Sequence, residues 1–297
     1  MGQVHLREAL ACERVRPVAV VDPLVGELGD LRTFTDLDGA LAWGQFDAAL
    51  VAAPSDLHRP LTERLIDAAI PVLCEKPLGL TVADAAALAD LTGRTGATLR
   101  VGYWRRFVPA LVELRRRLAD GDFGRISLIE AWQWDQEPPS AEFRARSGGI
   151  VRDMGVHEID QIRWLTGEEI EVRSVVAADV TSTDPVEGDP ESVALLGRLS
   201  GGGIAFVSLG RRHVDGDACW LEVIGTNDAQ RADFMYGPDA DAVFTTALRA
   251  QLEAFADLVQ HGDTSPAAGT AATAADAVAA LRVLEAVASI AEQRGDP

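Results

Sequence analysis

The chain has 297 residues, of which 47% are hydrophobic and 25% charged, a balance typical of a globular protein large enough for two domains. Its formal net charge of −19 argues against nucleic acid or an anionic membrane surface as a partner, because phosphate recognition requires concentrated positive charge. The three cysteines are widely spaced without a CxxC pair, and the amino terminus lacks the apolar core of a signal peptide. We therefore expect a cytoplasmic protein without a disulfide framework or a zinc site.

The first hundred residues alternate between helix-like and strand-like segments. In chain order, we predict helices at Gly2–Glu13, Asp36–Trp43, His58–Ala69 and Thr81–Thr92, and strands at Pro17–Asp22, Phe46–Pro54, Ile70–Glu75 and Ala97–Gly102. Continuous apolar strands that alternate with amphipathic helices predict a parallel sheet covered on both faces.

The pattern changes after Gly102. In chain order, we predict a helix at Pro109–Ala119, a strand at Ile126–Trp134, a helix at Asp153–Thr166 closed by Gly167, strands at Val193–Leu199, Ile204–Gly210 and Cys219–Gly225, and helices at Thr245–Gln260 and Ala271–Glu292. The turn SGGG joins the strands Val193–Leu199 and Ile204–Gly210 as a hairpin. The sequence thus predicts an α/β domain over residues 1–102 and an α+β domain with a mostly antiparallel sheet over residues 103–297.

Two strand ends in the first domain are candidates for nucleotide binding. Asp22 ends the strand PVAVVD, where an acidic side chain accepts hydrogen bonds from the adenosine ribose and repels a 2′-phosphate; a turn or capping aspartate is the alternative. Small residues and a proline follow the next strand in the segment AAPSDLH, at the edge where ligands lie in such sheets. We interpret His58 in this segment as a helix-start residue rather than a catalytic one.

Lys76 is the one lysine among 27 basic side chains, and it directly follows a predicted strand. Lysine is a compact point donor whose proton can be adjusted, whereas arginine is a planar fork that stays charged. In a chain that uses arginine everywhere else, a lysine at the carboxyl edge of the sheet indicates that this site needs the smaller basic group. A chance survivor at a strand end is the alternative. Pro77 fixes the backbone immediately after it.

Asp153 and His157 are four residues apart within a predicted helix, a spacing that stacks two side chains on one face. A carboxylate beside an imidazole orients it and favours its protonated form, which suits a general base that accepts a proton from an alcohol. Two alternatives remain: Asp153 caps the helix, or these two residues and Asp160 bind a metal.

Four segments together resemble the Gfo/Idh/MocA oxidoreductases: VLCEKPLGLT, GYWRRF, GGIVRDMGVHEIDQIRWLTG and AAPSDLH. The loop DQEPPSAEFRARSGG is most similar to the inositol 2-dehydrogenase branch. The resemblance covers essentially the whole chain. It implies an NAD-binding Rossmann domain, an open-sheet domain that holds a polyol or sugar substrate, and a homodimer or homotetramer.

On matching positions, the resemblance implies that Lys76, Asp153 and His157 form the catalytic set. His157 would take the hydroxyl proton while hydride passes to the nicotinamide. Lys76 would hydrogen-bond the reacting oxygen, and Asp153 would position and polarise His157. The implied cofactor-binding residues are Gly2, Asp22, Ala53, Pro54, Glu75 and Lys76, with no metal.

The chain departs from the family pattern at two places. Family members begin with a strand and a G-x-G-x-x-G loop, whereas this chain opens at MGQVH, so that Gly2 matches only the last glycine. We expect either a start codon assigned too late or a chain that holds a dinucleotide abnormally. Trp134 stands where relatives often carry arginine, which argues against inositol itself as the substrate. Alternatives to a dehydrogenase are an NAD-assisted glycosidase and a non-catalytic sugar or nucleotide sensor.

Overall fold

The computed structural model describes residues 1–180, 186, 189–235 and 239–294. Within these residues the α-helices, labelled α1 to α9 in chain order, are Gly2–Leu10, Leu37–Trp43, Ser55–Asp67, Val82–Thr95, Pro109–Ala119, Ala141–Ser147, Val156–Thr166, Ala240–His261 and Ala274–Arg294. The strands, labelled β1 to β11, are Ala19–Val21, Arg32–Phe34, Ala49–Val51, Val72–Cys74, Leu99–Val101, Ile126–Trp134, Ile170–Ala178, Ser192–Leu199, Ile204–Gly210, Ala218–Gly225 and Ala229–Asp233.

Side-chain caps and left-handed glycines set the helix ends. The α4 helix starts with a capping box, in which Thr81 and Asp84 each bind the other's backbone N–H. Gly96 and Gly167 adopt the left-handed conformation directly after α4 and α7, so the predicted cap at Gly167 is confirmed. These ends keep the connections short where the chain turns from helix to strand.

The first half of the chain forms parallel strands in two separate ladders. β1 pairs with β2, and β3, β4 and β5 form a second ladder in that order. Among the described residues no ladder joins β1 to β3. A doubly wound sheet reverses its strand order around a first strand at this place. The Rossmann-type parallel sheet is confirmed, and in the described residues it is divided between β1 and β3.

The second half builds one six-stranded sheet in the order β11-β10-β6-β9-β8-β7. All its pairs are antiparallel except β6 with β9, which run parallel. The open, mostly antiparallel sheet is therefore confirmed. Its parallel central pair brings the carboxyl ends of β6 and β9 together, and Asp135 N donates to Gly210 O at 3.0 Å there.

The carboxyl-terminal helices return to the first sheet. Leu252 and Phe255 of α8 pack in a buried cluster with Leu73 of β4. Val101 N at the end of β5 donates to Ala272 O at 2.9 Å, just before α9. The amino-terminal half of the chain is thus completed by residues from its carboxyl-terminal end.

The sequence predictions missed α6 and three strands: β2, β7 and β11. The α6 helix lies inside the segment interpreted as a loop, where Ser140 caps it by accepting a hydrogen bond from Phe143 N. The predicted strands of the first half, six to nine residues long, are three residues long in the structure, because a strand extends only as far as a neighbour pairs with it.

Candidate active site

Lys76 lies in the connection that follows β4 and reaches the second sheet domain. Its Nζ donates to both the backbone oxygen and Oδ1 of Asp153, each at 2.9 Å. The two side chains are 19% and 13% exposed, so this ion pair lies in a largely buried junction that keeps an opening to solvent. The structure therefore brings together two of the predicted catalytic residues across the domain boundary.

Asp153 lies on a π-helical turn, Val151–Gly155, which runs directly into α7. Such turns replace the regular helical bond pattern and are frequent at functional sites. Its Oδ2 accepts from Arg211 Nη1 at 3.3 Å. Burial raises the pKa of Asp153, but the charges and hydrogen bonds of Lys76 and Arg211 outweigh it, and the pKa is lowered from its ordinary value. Asp153 is thus an anion held between two cations.

His157 opens into the same junction from the first turn of α7. Its side chain is buried, Nδ1 has no hydrogen-bond partner among the described residues, and the rings of Tyr103 and Trp104 stand edge-on at centroid distances of 6.2 and 6.4 Å. Burial, followed by the charges of Lys76 and Arg105, lowers its pKa well below the ordinary value. The imidazole is therefore neutral at neutral pH and free to accept a proton.

The predicted partnership between Asp153 and His157 is wrong. Both carboxylate oxygens of Asp153 are taken by Lys76 and Arg211 rather than by the imidazole. The prediction that a neighbouring carboxylate favours the protonated imidazole is wrong for the same reason, since cations and burial dominate around His157. The prediction relied on the four-residue spacing of a regular α-helix, whereas the segment before α7 is π-helical.

Asp160 points to a different part of the molecule. Its Oδ1 and Oδ2 accept from Arg106 Nη2 and Nε at 2.5 and 2.9 Å, in a buried bidentate pair. Asp153, by contrast, binds Lys76 and Arg211. These separate partners argue against the metal site considered for the two aspartates and His157.

Sequence reasoning missed the arginine and aspartate that complete this site. Arg211 follows β9, is 1% exposed, and also contacts Asp189 Oδ1 at 3.4 Å and Asp135 Oδ2 at 3.6 Å. Burial, then nearby carboxylates, raises the pKa of Asp135 to about 6 despite the opposing charge of Arg211. Only the parallel pairing of β6 with β9 makes Asp135 and Arg211 neighbours, so no local sequence pattern could reveal them.

Trp134, the departure noted from the family pattern, packs along the sheet. Its Nε1 donates to Ser208 Oγ at 3.0 Å. A Cβ at Gly210 would lie 2.1 Å from its ring, so the glycine provides the space that the indole fills. Asp135, the residue that follows Trp134, is the charged side chain that faces Arg211.

The predicted cofactor residues gather at the carboxyl edge of the parallel strands. The α1 helix begins at Gly2, close to the backbone oxygen of Ala52 after β3, and its first turn has no side-chain cap and no acidic residue. Asp22 follows β1 and accepts a hydrogen bond from Leu24 N at 2.8 Å, so the turn-capping alternative also holds. Pro54 precedes α3, and Glu75 follows β4.

Two buried histidines, His5 and His58, form hydrogen bonds at this edge, and the sequence did not predict these contacts for either of them. His58 lies in the first turn of α3, as interpreted, and its ring nitrogens contact Ala53 O at 2.8 Å and Pro77 O at 2.6 Å. His5 Nε2 lies 2.6 Å from Glu75 Oε1. The available signal for the role of His5 was that the buried positions of the amphipathic helix α1 are occupied by two polar residues, His5 and Glu8.

An NAD molecule fits the chemistry of this edge. An uncapped helix start presents free backbone N–H groups and the positive end of the helix dipole, which favour a pyrophosphate. The carboxylate of Asp22 is exposed directly after β1, as ribose recognition requires. Lys76 and His157 lie where the same edge meets the second domain.

A cavity of about 290 Å³ lies elsewhere in the described residues, between Arg115, Arg163 and Trp164. None of the residues assigned to the site lines it.

Known proteins share this arrangement over the whole chain. A profile described as an oxidoreductase family with an NAD-binding Rossmann fold matches residues 1–103, and the GFO/IDH/MocA C-terminal domain matches residues 111–229. The rhizopine catabolism protein MocA of Rhizobium meliloti is 42% identical over 98% of this chain and 92% of its own length. A myo-inositol dehydrogenase of Streptomyces leeuwenhoekii is 34% identical over 75% of this chain and 73% of its own.

A solved enzyme from gentamicin A biosynthesis, in complex with NAD, superposes with a TM-score of 0.87 at 26% identity, covering 99% of this chain and 92% of its own. The fold and the site thus define an NAD-dependent oxidoreductase that acts on an alcohol group. The chain belongs to the GFO/IDH/MocA family, as the sequence motifs implied. The exact domain boundary at residue 102 stays a prediction.

No helix in the described parts of the chain is long and apolar enough to cross a membrane.

Proposed function

We propose that the protein oxidises one hydroxyl of a cyclitol or sugar-like polyol, with NAD as the hydride acceptor. The observation that carries this proposal is the neutral imidazole of His157 beside the Lys76–Asp153 ion pair, with its Nδ1 lacking a hydrogen-bond partner among the described residues. An alcohol substrate needs both a proton acceptor and a donor at its oxygen, and this junction supplies them. The myo-inositol dehydrogenase among the relatives supports the cyclitol class.

Each residue has a separate role in this mechanism. His157 accepts the hydroxyl proton, Lys76 donates a hydrogen bond to the reacting oxygen, and Asp153, held by Arg211, fixes Lys76 in place. NAD, when bound, supplies the acceptor for the hydride that leaves the carbinol carbon. The alcohol thus becomes a ketone by loss of one proton and one hydride.

The test is a panel of free cyclitols and sugars assayed for net NADH formation. We expect turnover with at least one free cyclitol, and about 10²- to 10⁴-fold less with the His157→Ala variant. Release of a sugar substituent without net NADH would identify an NAD-assisted glycosidase instead. Binding of polyols without turnover in the presence of NAD would identify a sensor.

We also propose that two copies associate through the outward face of the six-stranded sheet. Trp132 stacks on Trp220 at 5.0 Å there, and Leu196 and Ile204 are 44% and 47% exposed. A contiguous apolar face of this kind supports a homodimer, or a tetramer built from it. Light scattering of the protein and of Leu196→Glu distinguishes these states from a monomer.

The cytoplasm is the location we propose, because a reducing compartment suits the cysteines. Cys12, Cys74 and Cys219 are all free and buried.

A further inference from the structure

A buried hydrogen bond connects α1 to the residue that precedes Lys76. His5 Nε2 and Glu75 Oε1 are 2.6 Å apart, and the two side chains are 3% and 6% exposed. The other oxygen of the same carboxylate, Oε2, accepts from Lys76 N at 3.2 Å. One carboxylate therefore holds both the helix and the backbone of the site lysine.

Glu75 is confined by its neighbours. A Cβ at Gly102 would lie 2.9 Å from Glu75 Oε1 and 3.0 Å from its Cα, so the end of β5 packs directly against this residue. A carboxylate in so little space cannot take another position without moving the backbone. A displacement of α1 is therefore transmitted to Lys76 rather than absorbed at Glu75.

The other end of this link is the start of α1. His5 is one helical turn from Gly2, roughly 4.5 Å along the axis, and the first turn of α1 has no side-chain cap. This uncapped turn is the part of the edge that suits a pyrophosphate. An anion bound there pulls on the same turn that carries His5.

We propose that His5 is a positioning residue that couples occupation of the NAD site at the start of α1 to the placement of Lys76, through Glu75. The coupling rests on the proposed function only for what Lys76 then does to the polyol. Lys76 passes the same restraint to Asp153 and hence to the second sheet domain. The nucleotide thus orders the donor before the polyol reacts.

The single lysine makes this coupling directly measurable. Protein labelled with [15N]lysine has one lysine backbone amide, that of Lys76, which is the group bound to Glu75. The probe is ADP-ribose, which carries the pyrophosphate but not the nicotinamide that would contact the lysine itself. We expect ADP-ribose to shift this cross-peak in the native chain and in His5→Gln, whose amide reaches the position of Nε2.

His5→Leu should bind ADP-ribose by calorimetry and leave the cross-peak unmoved. If His5→Leu does not fold, His5→Asn, whose shorter amide falls short of Glu75, replaces it. Arg7→Gln is the matched control, because this neighbouring α1 side chain is 64% exposed and, within the described parts of the chain, forms its ion pair with Glu8. An equal shift in His5→Leu, or no shift in the native chain at saturation, would overturn the coupling. ADP-ribose that does not bind would also count against it.

Kinetics provide an independent readout. We expect kcat to fall about 10- to 100-fold in His5→Leu, the effect of slight misplacement of a reacting group, and to recover in His5→Gln. A loss that His5→Gln does not restore contradicts a positioning role. If the native protein turns over no cyclitol although the cross-peak moves, the proposed substrate class fails and the coupling stands.

Discussion

Lys76 uses its ammonium group as a point donor that satisfies two oxygens of one residue. Both contacts to Asp153 are 2.9 Å long, and the larger, planar guanidinium of arginine cannot reproduce them in the same space. We therefore expect Lys76→Arg to lose about 100-fold or more of turnover while the fold persists. Measured kcat and circular dichroism test this, with Arg116→Lys on the exposed face of α5 as the reverse exchange. Near-native turnover in Lys76→Arg would remove Lys76 from the mechanism.

His157 determines a pH dependence of both rate and stability. Its pKa in the folded protein is below the ordinary value of 6.5, so the folded state binds fewer protons than the unfolded state at acidic pH. The contribution of His157 to the free energy of unfolding is therefore complete above pH 6.5 and decreases as the pH falls below it. The oxidation rate should likewise decline only below pH 6.5, as the imidazole becomes protonated.

The pH profile of His157→Ala checks this assignment. We expect the acid limb of the rate to disappear together with about 10²- to 10⁴-fold of turnover. Asp135, whose pKa is about 6, is the other group of the site that titrates in this range. An acid limb that persists in His157→Ala and disappears in Asp135→Asn would show that Asp135, and not His157, is responsible for the pH dependence.

We propose that Asp22 determines the choice between NAD and NADP. Its exposed carboxylate at the end of β1 would accept hydrogen bonds from the ribose hydroxyls and repel a 2′-phosphate. We expect tighter binding of NAD than of NADP by calorimetry, and a reduced preference in Asp22→Asn. Tighter binding of NADP to the native protein would contradict the assignment.

At the scale of elements, the ends of β4 and β5 are in close contact. Gly102→Ala would force a Cβ against Glu75, and we expect it to lower the free energy of unfolding by about 1–3 kcal/mol. Urea denaturation measures this. Gly93→Ala in the interior of α4, where a Cβ meets open space, is the control and should stabilise by about 0.5–1 kcal/mol. Equal stabilities of the two variants would show that Glu75 has room to move.

The same scale explains what the sequence could predict. Helices and long strands followed from periodicity, and α5 and β6 have the predicted bounds. Lys76, Asp153 and His157 were located because each stands at an element end with a distinctive neighbour. The partner of Asp153 was misassigned because Arg211 is 58 residues further along the chain and arrives only through the sheet pairing. Short strands such as β2 and β11 depend on partners and carry little local pattern.

At the scale of the whole molecule, the parallel strands of the described residues form two ladders, β1-β2 and β3-β4-β5, that are not joined between β1 and β3. β1 and β3 are only partly buried, whereas β4 is fully buried. The α8 helix, from the other end of the chain, packs against β4 of the second ladder.

The return of α8 and Ala272 to the first sheet has a consequence for the order in which the chain folds. Leu73 gains its apolar neighbours, Leu252 and Phe255, only after most of the chain has left the ribosome. The edge of β5 likewise receives Ala272 late. Contacts so distant in sequence close slowly, and until they form the amino-terminal half exposes an apolar surface. We therefore expect residues 1–102, when expressed alone, to present this surface to solvent and to aggregate.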